Sequence, residues 1–220
     1  MAVTLSKKIN TLLRLLVKPK MINVLVSFYH SGYLLETGWI RSYLNGFPVD
    51  KEGNSLPWFT LGFISFLEPR LDNNIKIFEY GAGNSTIYFS TRIKNLISIE
   101  SDSAWLNQLK PKLPQHCIIE SVTSADPGAY SKRIFDFDQK FDIVIVDAIF
   151  RNESMINCIP ALSERGVIIL DDSERDEYQA TIHEMLRLGF RKIDFWGMAP
   201  GVTFNKCTSI FYKSINCLGI

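Results

Sequence analysis

Glu79, the turn Gly81-Ala82-Gly83-Asn84-Ser85 and Glu100 make up the stretch in which residue type and spacing together specify chemistry. An apolar run carrying Glu79 leads into the glycines, a helix-like segment follows, and a second apolar run ends at Glu100. Glycines at the carboxyl end of a strand let a ligand approach the backbone closely, and the helix start beyond them offers free N–H groups. An acid at the tip of the next strand is placed to accept hydrogen bonds from ribose hydroxyls. Glu100 follows Gly81 by 19 residues (100 − 81), close to the ~20 of a nucleotide-binding βαβ unit. The spacing implies an adenosine-type ligand.

The elements that must hold these residues follow from periodicity. Runs at 75–80, 96–100, 116–121, 141–146, 166–171, 190–196 and 207–213 read as strands, and helices fill 84–94, 102–110, 152–163 and 175–188. FDIVIV and GVIIL are continuous apolar runs, as in a parallel sheet covered on both faces. The final runs, RKIDFWG and CTSIFYK, are joined by a loop too short for a crossover, so they pair antiparallel. The expected fold class is α/β: a doubly wound, mostly parallel seven-stranded sheet with an antiparallel last strand, in a three-layer sandwich.

Ahead of this domain (71–220) residues 1–70 form a helical extension. Ile9, Leu12, Leu13, Leu16 and Val17 recur at helical spacing before Pro19, and 21–44 reads as further helix broken near Gly32 and Gly38. The segment 45–57 is turn-rich, and 58–71 is a helix leading into the core.

Composition narrows the function. The 220 residues are 46% hydrophobic and 21% charged, an ordinary globular balance. A net charge of +1 argues against nucleic acid as the main partner. Residues 1–41 nevertheless carry Lys7, Lys8, Arg14, Lys18, Lys20 and Arg41 against Glu36 alone, a local +5 that makes a peripheral membrane contact conceivable. Cys117, Cys158, Cys207 and Cys217 show no CxxC or Cys/His cluster, as in a reducing compartment. No apolar run reaches 18 residues, and Arg14 interrupts the only signal-like stretch, so a cytoplasmic location is expected.

The glycine turn, the acid after the second strand and the antiparallel ending together resemble the class I S-adenosylmethionine-dependent methyltransferases over residues 58–213. FDIVIVDA followed by GVIILDDSER is further similar to the O-methyltransferase branch. By that resemblance the cofactor is S-adenosyl-L-methionine. Gly81, Ala82, Gly83, Asn84 and Ser85 lie against its methionine part, and Glu79 engages its amino group directly or through water. Glu100, with Ser101 beside it, takes the ribose hydroxyls in charge-assisted bonds worth ~1.5–3 kcal/mol each. Trp105 and the loop Ser124-Ala125-Asp126 border the adenine, and Thr60 reaches the carboxylate. Ser85 stands where the family often has a third glycine, and Thr86 breaks the GxGxxG spacing. That departs from the nicotinamide-dinucleotide oxidoreductases, the rival reading beside that of a methyltransferase-like binding subunit without activity.

Methyl transfer rests largely on positioning, but an alcohol or phenol acceptor must also lose its proton to a base or a metal. Asp147 ends the fourth strand and Asp171-Asp172 the fifth, and neighbouring parallel strand ends lie ~5 Å apart. Asp147 and Asp172 are the candidate bases. With Asp171 they are also an oxygen-only set suited to Mg²⁺, as in the metal-dependent O-methyltransferases, or else Asp172-Ser173 caps the following helix. His183 lies inside a helix as a surface or packing residue, His30 in the N-terminal helices and His116 at a strand start, so none is placed for general-base work. Arg151 is either a binder of acidic acceptors or sugar hydroxyls, or a solvated loop cation. Trp58 and Phe59 either form a lid or pack the pre-core helix, and Trp196, Met198 and Pro200 either line the acceptor site or pack the core. The acceptor class is a small molecule or a sugar-containing intermediate.

Overall fold

The computed structural model describes residues 4–123 and 125–220. Four helices open the chain: α1 (Leu5–Leu16), α2 (Pro19–His30), α3 (Tyr33–Glu36) and α4 (Trp39–Asn45). A looped stretch pinned by a bridge between Val49 and Ser55 leads to α5 (Leu61–Leu67). The α/β alternation then runs β1 (Lys76–Tyr80), α6 (Asn84–Ser90), β2 (Asn95–Glu100), α7 (Ser103–Leu109), β3 (Ile118–Ser121), α8 (Pro127–Ser131), β4 (Phe141–Val146), α9 (Arg151–Asn157), β5 (Leu162–Asp171), α10 (Gln179–Arg187), β6 (Arg191–Gly197) and β7 (Lys206–Tyr212). Among the described residues no helix is long and apolar enough to cross a membrane.

The seven strands form one sheet in the order β3-β2-β1-β4-β5-β7-β6. Strand β7 lies between β5 and β6 and runs antiparallel to both, while the other pairings are parallel. The expected doubly wound sheet with a reversed last strand is therefore the observed one. Chain order reverses between β1 and β4, so the connections there leave in opposite directions and open a crevice at the strands' carboxyl ends.

Side-chain alternation divides the strands between two cores. Phe78, Tyr80, Val144, Val146, Ile168 and Leu170 face Tyr130, Met155, Ile182 and Met185 from α8, α9 and α10. Ile77, Ile143, Ile145, Val167 and Ile169 face Phe59, Phe63 and Leu67 at α5 and Tyr88 and Phe89 on α6. Glu79 shares the second face and is wholly buried beneath α6.

Several boundaries differ from the sequence expectation. The helix expected over 84–94 ends at Ser90, where the Ser90 and Thr91 hydroxyls bond back to the Ile87 and Tyr88 carbonyls and compete with the helical ladder. The helix expected over 152–163 ends at Asn157, because Pro160 restricts the residue before it, and β5 begins at Leu162 rather than 166. Residues 58–60 precede α5 instead of belonging to it. Helix α8 was unexpected, although Asp126 caps its Gly128 amide at 2.9 Å and Pro127 occupies the first turn.

Candidate active site

A cleft of ≈ 420 Å³ opens over the tips of β1, β2 and β4, within the range of small-molecule sites. Of the residues singled out from sequence, Gly81, Ala82, Gly83, Asn84, Ser85, Glu100, Ser101, Trp105 and Asp147 line it, together with Trp58 and Arg151.

Gly81 and Gly83 meet different requirements. Gly81 sits at φ +91°, and a Cβ on it would lie 2.3 Å from the Asp147 carbonyl oxygen. Both conformation and close approach of the β4 tip therefore demand glycine there. At Gly83 a Cβ would meet nothing within 4 Å; its missing side chain leaves part of the cleft open. The Gly83 amide donates to Thr86 Oγ1 at 2.9 Å, which fixes the start of α6.

Glu100 joins the second strand tip to this turn. Its Oε2 accepts the Ala82 amide at 3.0 Å, and its Oε1 accepts the Asp102 amide at 2.8 Å. Ser101 Oγ also donates to Oε1 at 3.3 Å, so of about four acceptor sites one stays free for a hydroxyl in the cleft, and a second opens where a ligand hydroxyl replaces that long Ser101 bond. Trp105, the third residue of α7, donates from Nε1 to the Ala82 carbonyl at 2.7 Å, which holds its indole beside the turn. The Asp102 side chain caps this helix through the Ala104 and Trp105 amides and so sets where the indole falls.

Glu79 lies below the turn, outside the cleft lining. Its Oε2 accepts from Thr86 Oγ1 at 2.5 Å and Ser98 Oγ at 2.7 Å. Its Oε1 is shut off from solvent with no donor in hydrogen-bond geometry. Burial raises the carboxyl to about 7, although the hydroxyls of Ser85, Thr86 and Ser98 draw it partway back. An orphaned buried oxygen is costly unless a donor reaches it in the liganded protein.

The strand-tip acids are organised by cations. Arg151 is itself nearly buried; its Nη2 lies 2.8 Å from Asp147 Oδ1 and its Nε donates to the Ala148 carbonyl at 3.0 Å. Its Nη1 donates to the Asp171 carbonyl and lies 3.6 Å from Asp172 Oδ2. This guanidinium thus staples the tips of β4 and β5, which corrects the reading of Arg151 as a solvated loop cation; it also lines the cleft. The turns it joins contain Phe150 (φ 56°) and Asp172 (φ 54°), non-glycine residues in the left-handed region that often marks functional loops.

Asp171 and Asp172 do not line the cleft. Lys206 Nζ lies 2.6 Å from Asp171 Oδ2 and 2.6 Å from Asp172 Oδ1, Thr208 donates to Asp171 Oδ1 at 2.7 Å, and Arg175 pairs with Asp172. Burial opposes ionisation of Asp172, but Lys206, Arg151 and Arg175 hold its carboxyl below the usual range. A Mg²⁺ ion at these acids would have to displace Lys206, so the donor set does not fit the metal. Among the described residues no group of three or more His, Cys, Asp or Glu side chains converges for a metal. Asp147 differs: burial and the Asp171 charge raise its carboxyl to about 7, against Arg151 and Lys206.

Three other expectations fall away from the cleft lining. Thr60 is buried, donating from Oγ1 to the Phe195 carbonyl at 3.1 Å and from its amide to Thr208 Oγ1 at 3.0 Å, so it ties α5 to β6 and β7. Asp126 caps α8, and Ala125 is not among the lining residues; Ser124 lies outside the described residues. Phe59 packs in the core, whereas half-exposed Trp58 borders the cleft and donates to the Pro200 carbonyl at 3.1 Å.

Phe47, Pro48, Ala148 and Ile149 line the cleft without having been singled out. Asn84 Nδ2 donates to the Pro48 carbonyl at 3.2 Å and draws that distant loop over the turn. Ile149, an apolar residue two beyond a strand-tip acid, was a readable signal; Phe47 and Pro48 gave none.

No family model matches the chain, and no curated protein matches it. Solved structures do. A precorrin-6y C5,15-methyltransferase from Geobacter metallireducens superposes with TM-score 0.55 at 14% identity, over 70% of this chain and 88% of that one. A methyltransferase from Pyrococcus furiosus gives 0.52 at 13% identity, over 83% and 96%. An rRNA methylase from Streptococcus thermophilus gives 0.50 at 12% identity, over 70% and 95%. At these identities the likeness is one of fold, and the fold is the Rossmann-like one of the class I methyltransferases.

Proposed function

We propose that this chain is an S-adenosylmethionine-dependent O-methyltransferase acting in the cytoplasm on a small-molecule or sugar-containing acceptor. The observation that carries the reading is the convergence on one cleft of Glu100, the open backbone at Gly83 and, just beneath, the unpartnered Glu79 oxygen. S-adenosylmethionine has matching groups: ribose hydroxyls for Glu100, a chain to lie along the turn, and an ammonium for Glu79. Trp105 offers an indole to the base. The net charge of +1 and the aromatic mouth formed by Phe47 and Trp58 favour a small organic acceptor over a nucleic acid.

When bound, the cofactor supplies an electrophilic methyl group. Glu100, the glycine turn and Glu79 would hold that donor against the acceptor oxygen, and Asp147 would take the acceptor's proton. A carboxyl near 7 at the cleft wall suits this role, since a base works best with a pKa close to the working pH. Arg151 fixes its orientation and the aromatic rim excludes water. Asp172, ionised and held by three cations, acts through Arg151 and not on the acceptor.

Thermal-shift titration tests the reading. S-adenosylmethionine and S-adenosylhomocysteine should raise the melting temperature while NAD and NADP do not. The opposite ranking would identify a dinucleotide oxidoreductase. Binding without turnover on any hydroxyl acceptor, with or without magnesium, would leave a methyltransferase-like binding subunit.

A further inference from the structure

Helices α1 and α2 pack on each other as a hairpin and leave an unusual amount of apolar surface uncovered. Leu5 and Leu12 on α1 are 73% and 62% exposed, and Leu25 and Phe28 on α2 are each 47% exposed. Helix α2 buries none of its residues. Leu12, Leu15, Ile22 and Leu25 border an open apolar groove between the two helices. Monomeric proteins rarely leave a contiguous patch of this kind without a partner for it.

Charge identifies the partner. Residues 4–35 contain Lys7, Lys8, Arg14, Lys18 and Lys20 and no Asp or Glu. Each helix has 12 residues, about 18 Å of length, well short of the ~30 Å hydrocarbon core, so the hairpin cannot span a bilayer. An exposed apolar face, the leucines of α1 and Val24, Leu25 and Phe28 of α2, is paired with basic residues and no acids. Short helices of that kind are suited to lie within the headgroup region of a membrane.

We propose that the α1–α2 hairpin docks the protein on an anionic lipid surface. The leucines and Phe28 enter the boundary between headgroups and acyl chains, and the lysines and arginine meet the lipid phosphates. A second copy of the chain fits less well, because facing hairpins would oppose five cations with five and supply no acid to either. Through α3 and α4 the hairpin continues into Phe47 and Pro48 of the cleft rim, so the docking element and the mouth of the cleft are adjacent in the chain. The proposal stands independently of methyl transfer.

Vesicle co-sedimentation of the full chain tests it, comparing phosphatidylcholine alone with phosphatidylcholine containing ~30% phosphatidylserine, an anionic lipid of cytoplasmic leaflets. The protein should partition onto the anionic vesicles and not the neutral ones. Lys7→Gln with Lys8→Gln should weaken that partition on the order of 30-fold, and Leu12→Gln with Leu25→Gln should abolish it. All four positions are exposed, so far-ultraviolet circular dichroism and S-adenosylhomocysteine titration should match the parent. Failure to bind anionic vesicles, or equal binding to both kinds, overturns the proposal. So does a concentration-dependent dimer in gel filtration that the leucine variant dissolves and the lysine variant leaves intact.

Discussion

Arg151 Nη2 lies 2.8 Å from Asp147 Oδ1, and the same guanidinium bonds the carbonyls of Ala148 and Asp171. One cation therefore fixes the orientation of the cleft's carboxyl, limits how far its pKa rises and holds two strand tips together. Its carbon stem and planar head are nearly buried, so the arrangement is part of the fold as well as of the site.

Arg151→Met keeps the volume and removes the charge. Breaking a buried pair costs about 3 kcal/mol, at the low end of the usual range because Asp147 retains some exposure. Without its cation Asp147 should titrate higher than about 7. Turnover, which should rise as pH increases through about 7 in the parent, should rise at a higher pH in the variant. Urea denaturation and a pH–rate profile read the two effects separately, and an unshifted profile would remove Arg151 from the chemistry.

Gly81→Ala and Gly83→Ala should part company. The first forces a side chain onto a positive φ and against the Asp147 carbonyl, at a cost of ~2 kcal/mol or more in stability. The second meets no protein atom, so its stability should change by less than ~1 kcal/mol while S-adenosylhomocysteine affinity falls at least tenfold. Melting curves beside calorimetric titration give both numbers for each variant.

That contrast marks what the sequence could convey. The glycine turn, Glu100 and the strand-tip acids were legible because strand ends and turns are local patterns, and the parallel sheet with its reversed β7 followed from run lengths and loop lengths. What was not legible depends on distant contacts. Lys206 claims Asp171 and Asp172 from 35 and 34 residues away in the chain, which turns a plausible metal set into a salt-bridged support. Thr60 looked like a ligand contact and is instead bonded to β6 and β7. Phe47 and Pro48 reach the cleft through distant bonds to their loop, from Asn84 and Leu56 to the Pro48 carbonyl and between Ser42 and Val49.

Glu79 gives the site a pH signature. Its carboxyl titrates near 7 in the folded protein rather than at its ordinary 4.5. Between those values the native state holds a proton that the unfolded chain has released, so stability falls as pH rises across this window and levels off above it. The full loss is about 3 kcal/mol. Glu79→Gln cannot ionise, so its stability relative to the parent should grow by up to that amount between about pH 4.5 and 8. Parallel denaturation curves for the two proteins at both ends of the range would contradict the assignment.

Glu100→Gln tests the ribose contact. The amide keeps an acceptor for only one of the Ala82 and Asp102 N–H groups and weakens charge-assisted bonds to the ribose, so S-adenosylhomocysteine affinity should fall about 10- to 100-fold while stability falls by ~1 kcal/mol. Adenine alone should bind parent and variant equally in the same calorimeter.

The most direct measurement is a crystal structure of the chain with S-adenosylhomocysteine. The account predicts ribose hydroxyls on Glu100, the amino-acid end over Gly81 and Gly83 with its ammonium turned toward Glu79, and the sulfur facing Asp147. Ligand density away from the β1 and β2 tips, or no binding at millimolar concentration, would contradict it.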